Sequence, residues 1–79
     1  MSESRLSENL NKLLNELERR DVKPAVWDYK QYGYYLVVAS DRAIVVDETG
    51  YVKKRLFHRP KERIGLREAV RWLLKRGDC

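Results

Sequence analysis

Residues 25–57 read AVWDYKQYGYYLVVASDRAIVVDETGYVKKRLF, and apolar and polar side chains alternate along much of this stretch. A period of two is typical of β-strands. Turn-forming residues interrupt the alternation at three places, so the stretch predicts a four-stranded antiparallel meander. The predicted strands are Ala25–Lys30, Tyr34–Ala39, Arg42–Asp47 and Tyr51–Phe57.

The three connections set the predicted register, and the register decides which side chains share a face of the sheet. Gln31-Tyr32-Gly33 and Glu48-Thr49-Gly50 both place Gly third, which is typical of a type I turn followed by a left-handed bulge residue. A tight turn at Ser40-Asp41 joins the middle strands. The turns pair Lys30 with Tyr34, Ala39 with Arg42, and Asp47 with Tyr51.

A helix is predicted on each side of the meander. The first is a leucine stripe over about four turns that ends near Arg20, ahead of Pro24. A basic loop follows the sheet, where Pro60 disfavours a further strand, and a second helix is predicted at about Leu66–Arg76 with Gly77 as its stop. Residues 1–79 therefore form one predicted α+β domain of order α-β-β-β-β-α. The two stripes are Leu6, Leu10, Leu13, Leu14 and Leu17, and Leu66, Ala69, Val70, Leu73 and Leu74.

The predicted register gives the sheet one core face and one open face, because two helices of this size can cover only one side. The predicted core face carries Trp27, Tyr29, Tyr35, Val37, Ala39, Ile44, Val46, Val52 and Leu56, with Lys54 as its one charge. The predicted open face carries Lys30, Tyr34, Leu36, Val38, Ala43, Val45, Tyr51, Lys53, Arg55 and Phe57, with Asp28 and Asp47 at its edges. An aliphatic centre of Leu36, Val38 and Val45 should not face water in a monomer, so this face is expected to bind a partner.

Charge is unevenly distributed along the chain. Residues 1–50 hold 7 basic and 9 acidic groups, whereas residues 51–79 hold 10 basic and 3 acidic groups. A basic segment in an otherwise balanced chain is typical of an anion-binding surface. The alternative is a solvated face that only keeps the protein in solution.

The composition indicates a soluble, cytoplasmic domain. The single cysteine, Cys79, fits a reducing compartment. The longest apolar run, Leu36–Ala39, is far too short to cross a bilayer. Charged residues make up 37% of the chain and uncharged amides are few, which is typical of proteins from hot environments.

The leading functional hypothesis is sequence-tolerant binding of single-stranded nucleic acid, DNA rather than RNA, by a homodimer or higher oligomer. Aromatic rings would stack on bases and cations would contact phosphates. The aliphatic centre would join the copies and leave an aromatic and basic cleft at the rim. The candidate site residues are Lys30, Tyr34, Tyr51, Lys53, Arg55, Phe57, Arg59, Lys61 and Arg63.

The alternative hypothesis is a protein-interaction module, or an accessory subunit of a larger, possibly RNA-containing complex, that docks through the open face. Trp72 stays open at this point: on a helix it lies to one side of the leucine stripe, as a core-edge residue, a subunit contact or a ligand contact.

No catalytic set is found, so the chain is predicted not to be an enzyme, with no cofactor, metal or small-molecule substrate. His58 is the only histidine and has no cysteine beside it, which excludes a credible zinc site. Asp28-Tyr29-Lys30 has the D-x-K form of a metal-dependent nuclease half-site, which needs a second carboxylate such as Asp41 or Asp47. Nuclease activity is the third and least favoured hypothesis.

The alternating aromatic and basic residues of WDYKQYGYYLVVAS and GYVKKRLFHRPKER lie between a Leu-rich helix and a basic helix. In this the chain resembles the ThermoDBP-related single-stranded-DNA-binding proteins of heat-loving archaea. The resemblance covers most of the chain and implies a helix-backed antiparallel sheet, oligomerisation and clefts that hold single strands. The double-stranded-RNA-binding domain has a similar element order, but it has three strands and a lysine cluster at its last helix, where this chain has Ile64-Gly65-Leu66-Arg67.

Overall fold

Two helices and a five-stranded antiparallel sheet make up the α+β architecture of the computed structural model, which describes residues 2–55, 59–60 and 62–74. The strands lie in the order in which they occur along the chain, so each pairs with the next. The elements are α1 Ser2–Arg19, β1 Ala25–Tyr29, a 3₁₀ turn Lys30–Tyr32, β2 Tyr34–Ala39, β3 Arg42–Asp47, β4 Gly50–Arg55, β5 Arg63–Ile64 and α2 Leu66–Leu74.

The helical stripes pack against one face of the sheet, as the sequence predicts. Both helices bury three residues in the core and pack further apolar side chains around its edge. Removing these side chains from water is the main stabilising contribution for a domain of this size. The buried residues are Leu6, Leu13 and Leu17 of α1, Ala69, Val70 and Leu73 of α2, and Val37, Ile44, Val46, Tyr51 and Ile64 of the sheet.

Helix α1 ends in a hydrogen-bonded reversal at Asp21. The backbone N–H of Val22 donates to Leu17 at 2.9 Å, and that of Asp21 donates to Glu18 at 3.0 Å. This double closure is the Schellman motif, and it places Asp21 in the left-handed region with φ 60°. The reversal directs the chain back toward β1.

The middle hairpin has the predicted register. Ala39 pairs with Arg42, Val37 with Ile44, and Tyr35 with Val46. The two-residue turn holds Ser40 at φ 63°, a left-handed backbone conformation that suits tight hairpin turns. A turn this short leaves only one register, so the two middle strands were correctly predicted.

The first hairpin differs from its prediction by one residue. Tyr29, rather than Lys30, pairs with Tyr34, and Trp27 therefore lies opposite Leu36. The cause is a four-residue loop: residues 30–32 form a 3₁₀ turn, Gly33 closes it at φ 92°, and the carboxylate of Asp28 accepts the N–H of Lys30 at 3.0 Å. The one-residue shift moves every side chain of β1 to the opposite face.

The third hairpin also differs by one residue. Asp47 pairs with Gly50 and Val46 pairs with Tyr51, so the loop is only Glu48-Thr49. The carboxylate of Asp47 accepts the backbone N–H of Thr49 at 3.0 Å and its hydroxyl at 2.8 Å, which tightens the turn. Gly50 then begins β4 at φ 138°, where any other residue would be strained. The side chains of β4 consequently exchange faces.

A fifth strand lies where the sequence predicts a basic loop. Tyr51 pairs with Ile64 and Val52 with Arg63, so the four-stranded prediction is wrong by one short strand. The side chain of Ile64 is buried in the core, which anchors β5 against β4 in spite of Pro60 upstream. The edge that β5 forms is two residues long, whereas β1 forms the other edge with five.

The sheet thus has a covered face and an open face, but β1 and β4 present different residues from those predicted. Trp27 and Tyr29 were predicted in the core, yet Trp27 is 55% exposed and lies on the open face. Within the described residues, no helix combines the length and apolar character needed to span a membrane.

Candidate nucleic-acid interface

Four aromatic rings lie together at the β1–β2 end of the open face, and we call them the ring row: Trp27, Tyr29, Tyr32 and Tyr34. The rings of Tyr29 and Tyr34 stack with centroids 5.1 Å apart, and Tyr32 follows with its centroid 6.4 Å from that of Tyr29. Tyr32 is 70% exposed. Open π-faces of this kind can accept the bases of a single strand.

An aliphatic patch continues from the ring row across the open face. Leu36, Val38, Val45 and Val52 lie there by the strand register, all partly exposed. The prediction that helices leave Leu36, Val38 and Val45 uncovered is confirmed, since none of the three belongs to the core. An apolar patch of this kind favours a partner over bulk water.

The far edge of the open face is closed by an ion pair between Arg63 and Asp47. The guanidinium donates to both carboxylate oxygens, at 2.9 and 3.1 Å. Arg63 was predicted to contact phosphate, and in this structure two of its N–H donors bind the carboxylate that also holds the β3–β4 turn. The pair joins β5 to the end of β3.

These contacts lower the pKa of Asp47 below its ordinary value of 3.8. Partial burial by itself raises this pKa, but the hydrogen bonds from Arg63 and Thr49 and the charge of Arg63 outweigh it. A lowered pKa in the folded state means that the pair stabilises the fold above the unfolded-state pKa, and that this stability is lost as the pH falls through the folded-state pKa.

We expect Asp47→Asn to lower the free energy of unfolding by about 1 kcal/mol at neutral pH, a value reduced because Arg63 is half exposed. The amide retains an acceptor for the Thr49 turn, so the substitution isolates the charge. Urea denaturation at neutral pH and at a pH well below 3.8 should show the difference between variant and wild type shrinking as the pH falls through the lowered pKa of Asp47. An equal difference at both pH values would contradict this account, and the exposed turn residue Asp41, changed to Asn, is the matched control.

Tyr51 was predicted to stack on bases, but it belongs to the core. Its side chain is 5% exposed, and its hydroxyl donates to the backbone carbonyl of Asn9 at 2.8 Å. Asn9 in turn donates from its amide to the carbonyl of Asp47 at 2.9 Å. Burial raises the pKa of the Tyr51 hydroxyl. Tyr51 therefore holds α1 on the sheet, and its buried ring is not on the surface where it was predicted to stack on bases.

Lys53 and Arg55 were also predicted on the open face, and the shift of β4 places them on the helix-covered side. There they surround Trp72 together with Arg42, and we call these four residues the Trp72 cluster. The distances to the indole centroid are 4.2 Å from Arg42 Cζ, 5.0 Å from Lys53 Nζ and 5.7 Å from Arg55 Cζ. Cations favour the faces of indole rings. The indole Nε1–H of Trp72 donates to the carbonyls of Ala43 at 3.0 Å and Lys54 at 3.1 Å, so Trp72 is a core-edge residue.

Arg42 is the buried member of the Trp72 cluster. Its side chain is 6% exposed, and its Nε and Nη1 find no hydrogen-bond acceptor within the described part of the chain. Lys53 is paired with Glu62, whose Oε1 lies 3.3 Å from Nζ. Burying these two donors without an acceptor is costly, because they have lost their hydrogen bonds to water and gained none in the described residues.

The remaining predicted residues are dispersed. Lys30 opens the 3₁₀ turn beside the ring row and is exposed, and Arg59 is exposed in the segment before β5. Phe57 and Lys61 lie outside the described residues, as does His58. Of the nine candidates, the structure brings Lys30 and Tyr34 together at one end of the open face and Lys53 and Arg55 together at the Trp72 cluster.

The D-x-K half-site gains no support from the geometry. Asp28 and Asp47 lie on opposite faces of the sheet, and the Asp28 carboxylate accepts the N–H of Lys30 within the turn. No group of three His, Cys, Asp or Glu side chains that could hold a metal ion occurs among the residues described.

The ring row and Arg42 were not predicted as a site. The loop within YKQYGYY, residues 29–35, was predicted one residue too short. This error placed Tyr29 and Trp27 on the predicted core face. The relevant sequence signal was Asp28, because an aspartate can accept the backbone N–H two residues ahead and so begin a turn at Lys30, which was predicted as a strand residue. Arg42 carries no signal at the sequence level, since its position in the middle hairpin was predicted but its missing acceptor could not be.

Comparison with protein-family models, with curated proteins and with solved structures finds no match to this chain. The resemblance to the ThermoDBP-related proteins therefore stays a prediction. The function of the chain is therefore inferred from the open face with its ring row and from the Trp72 cluster.

Proposed function

We propose that this chain binds single-stranded nucleic acid with little sequence preference, using the ring row as its stacking platform. The observation that carries the proposal is the exposure of these rings: Trp27 is 55% and Tyr32 70% exposed beside a stacked tyrosine pair. Two large rings exposed side by side with a partly exposed tyrosine pair offer an aromatic surface that the core does not use. Each base stacked on such a ring gains roughly 1–3 kcal/mol, whatever its identity.

Phosphate contacts are the second part of the proposal. The chain has a net charge of +5, and the exposed Lys30 lies directly beside the rings in the β1–β2 loop. A cation next to a stacking platform can neutralise the backbone that links two stacked bases. DNA and RNA share this backbone charge, and the proposal favours DNA.

The proposed assembly is a homodimer joined through the aliphatic patch of Leu36, Val38, Val45 and Val52. Burying this patch between two copies would remove it from water and leave both ring rows at the rim. Sedimentation equilibrium of the free protein and of its complex gives the mass, and with it the number of copies.

The test is a titration of labelled oligothymidylate, its RNA counterpart and a duplex of the same length, at two salt concentrations. We expect the single strand to bind more tightly than the duplex, and the affinity to fall linearly with salt on logarithmic axes. Lys30→Gln should reduce the magnitude of that slope by about 0.7, the value for one phosphate contact on a single strand.

Lys12→Gln is the matched control, because it removes the same charge from an exposed position on α1. An equal change of slope in both variants would mean that the effect of Lys30→Gln comes from the lower net charge and not from a lost phosphate contact. Failure of the wild-type protein to bind any oligonucleotide at low salt would contradict the proposed function.

Docking on another protein is the second candidate function, and the aliphatic patch favours it. In that role the patch would meet an apolar surface of the partner, and the cations would serve solvation. The same titration separates the two functions, because a protein-docking module is not expected to bind a single strand more tightly than a duplex.

A further inference from the structure

We propose that the Trp72 cluster is a binding site for a phosphate group. This site lies on the helix-covered side of the sheet, opposite the ring row, so it is independent of the proposed stacking platform. The first argument is the buried Arg42, whose Nε and Nη1 lack an acceptor in every described residue. An oxyanion would supply the acceptor that the chain does not.

The second argument is the local excess of positive charge. Three cations lie within 5.7 Å of the centroid of one indole ring, and the ion pair of Lys53 with Glu62 offsets only one of them. Like charges held this closely raise the free energy of the folded state, so an anion placed among them would relieve their repulsion. The surplus of two positive charges matches hydrogenphosphate or a phosphate monoester, which carry about −1.5 to −2 at neutral pH.

The third argument is space for the ligand. A cavity of about 490 Å³ lies against two members of the cluster, Lys53 and Trp72, and its other lining residues are Glu68, Arg71 and Leu74. Ligand sites in proteins commonly have volumes of roughly 300–1,000 Å³. Glu68 and Arg71 contribute one charge of each sign to the cavity wall, so they leave the surplus charge of the cluster unchanged.

The chemistry favours phosphate over a carboxylate. A guanidinium presents parallel N–H donors that suit the tetrahedral oxygens of phosphate, and an ammonium beside it adds a point charge. A phosphate group has enough oxygens to accept from Arg42, Lys53 and Arg55 at once. The group can come from a free phosphate compound or from the phosphodiester backbone of a nucleic acid.

The test uses Trp72 as its own reporter. The chain has two tryptophans, so Trp27→Phe leaves Trp72 as the only one. We expect inorganic phosphate to change the Trp72 emission saturably and to raise the melting temperature, and sodium chloride of equal ionic strength to do neither. A response that chloride reproduces would overturn the proposal.

Arg42→Met in the same background should weaken phosphate binding by at least about 10-fold, the loss expected for one charge-assisted contact. Arg5→Met, an arginine on the exposed surface of α1, is the matched control and should bind phosphate as the parent does. If Arg42→Met does not fold by circular dichroism, the pair Lys53→Gln and Arg55→Gln provides the same comparison. Unchanged phosphate affinity in the folded cluster variants would contradict the site.

An abasic oligodeoxynucleotide identifies the source of the phosphate group. It carries the phosphodiester backbone but no bases, so it cannot use the ring row. Competition with inorganic phosphate would support the backbone as ligand, and retained phosphate binding without competition would support a small phosphate compound. Loss of oligothymidylate binding in ring-row variants with phosphate binding intact would show that the two proposals stand separately.

Discussion

Changing Trp27 and Tyr34 together to Ala is expected to weaken binding of oligothymidylate by at least about 30-fold, and by more if each ring holds a base fully. The expectation follows from the position of both rings on the open face, one of them stacked on Tyr29. Fluorescence anisotropy of the labelled oligonucleotide, at one fixed salt concentration, measures the effect.

The matched control keeps the rings and removes their polar atoms: Trp27→Phe with Tyr34→Phe should bind within a few-fold of wild type, because stacking needs only the π-face. Since Trp27 is mostly exposed, the alanine pair should alter the free energy of unfolding by only about 1 kcal/mol. A change of less than three-fold in affinity, with the fold intact, would remove the ring row as the stacking platform.

The second large effect is expected at Trp72. Changing it to Ala should lower the free energy of unfolding by about 3 kcal/mol, through lost packing and the loss of the two hydrogen bonds that the indole donates. A domain of this size has roughly 5–15 kcal/mol of stability in total, so the variant should denature at a much lower urea concentration and be almost wholly unfolded at the wild-type midpoint. Urea denaturation followed by circular dichroism is the measurement.

Trp72→Phe tests the two contributions separately. Phenylalanine retains a ring for the three cations but has no N–H, so its loss should fall between those of wild type and Trp72→Ala. Equal stability of the alanine variant and wild type would mean that the indole contributes neither packing nor hydrogen bonds. In these variants phosphate binding is followed by the melting temperature, because they lack the fluorescent reporter.

The sequence predicted the parts of the fold that depend on side-chain period. The leucine stripe of α1 needs only a spacing of three and four residues, and it lies in the core as expected. The Ser40-Asp41 turn has no length to vary, so the pairing of Val37 with Ile44 followed directly. Local pattern and global fold agree at these positions.

The prediction was wrong where side chains hydrogen-bond to the backbone of a turn. Asp28 and Asp47 each accept an N–H two residues ahead, and the loops beside them have four and two residues instead of the three predicted for each. Each change is a single residue, but a strand alternates faces at every step, so Trp27 and Tyr51 exchanged their predicted roles. The glycines at positions 33 and 50 fit either loop length and could not decide between them.

The candidate site was predictable only in its composition. Rings and cations were expected on one surface, and the structure separates them: the rings lie on the open face, while Lys53 and Arg55 lie around Trp72 on the other. Strand β5 was missed because two residues carry almost no periodic signal. The excess of basic residues in 51–79 was evident from the sequence. The side of the sheet on which Lys53 and Arg55 lie was predicted wrongly.

The two edge strands of the sheet differ in length, which restricts where a further strand can be added. A strand of two residues offers an incoming chain almost nothing to hydrogen-bond, whereas β1 presents a five-residue rim with Lys23 and Pro24 only at its start. Any extended segment that joins the sheet by backbone pairing must therefore add beside β1. It would then lie next to Trp27, and the open face beside the ring row would become wider by one strand.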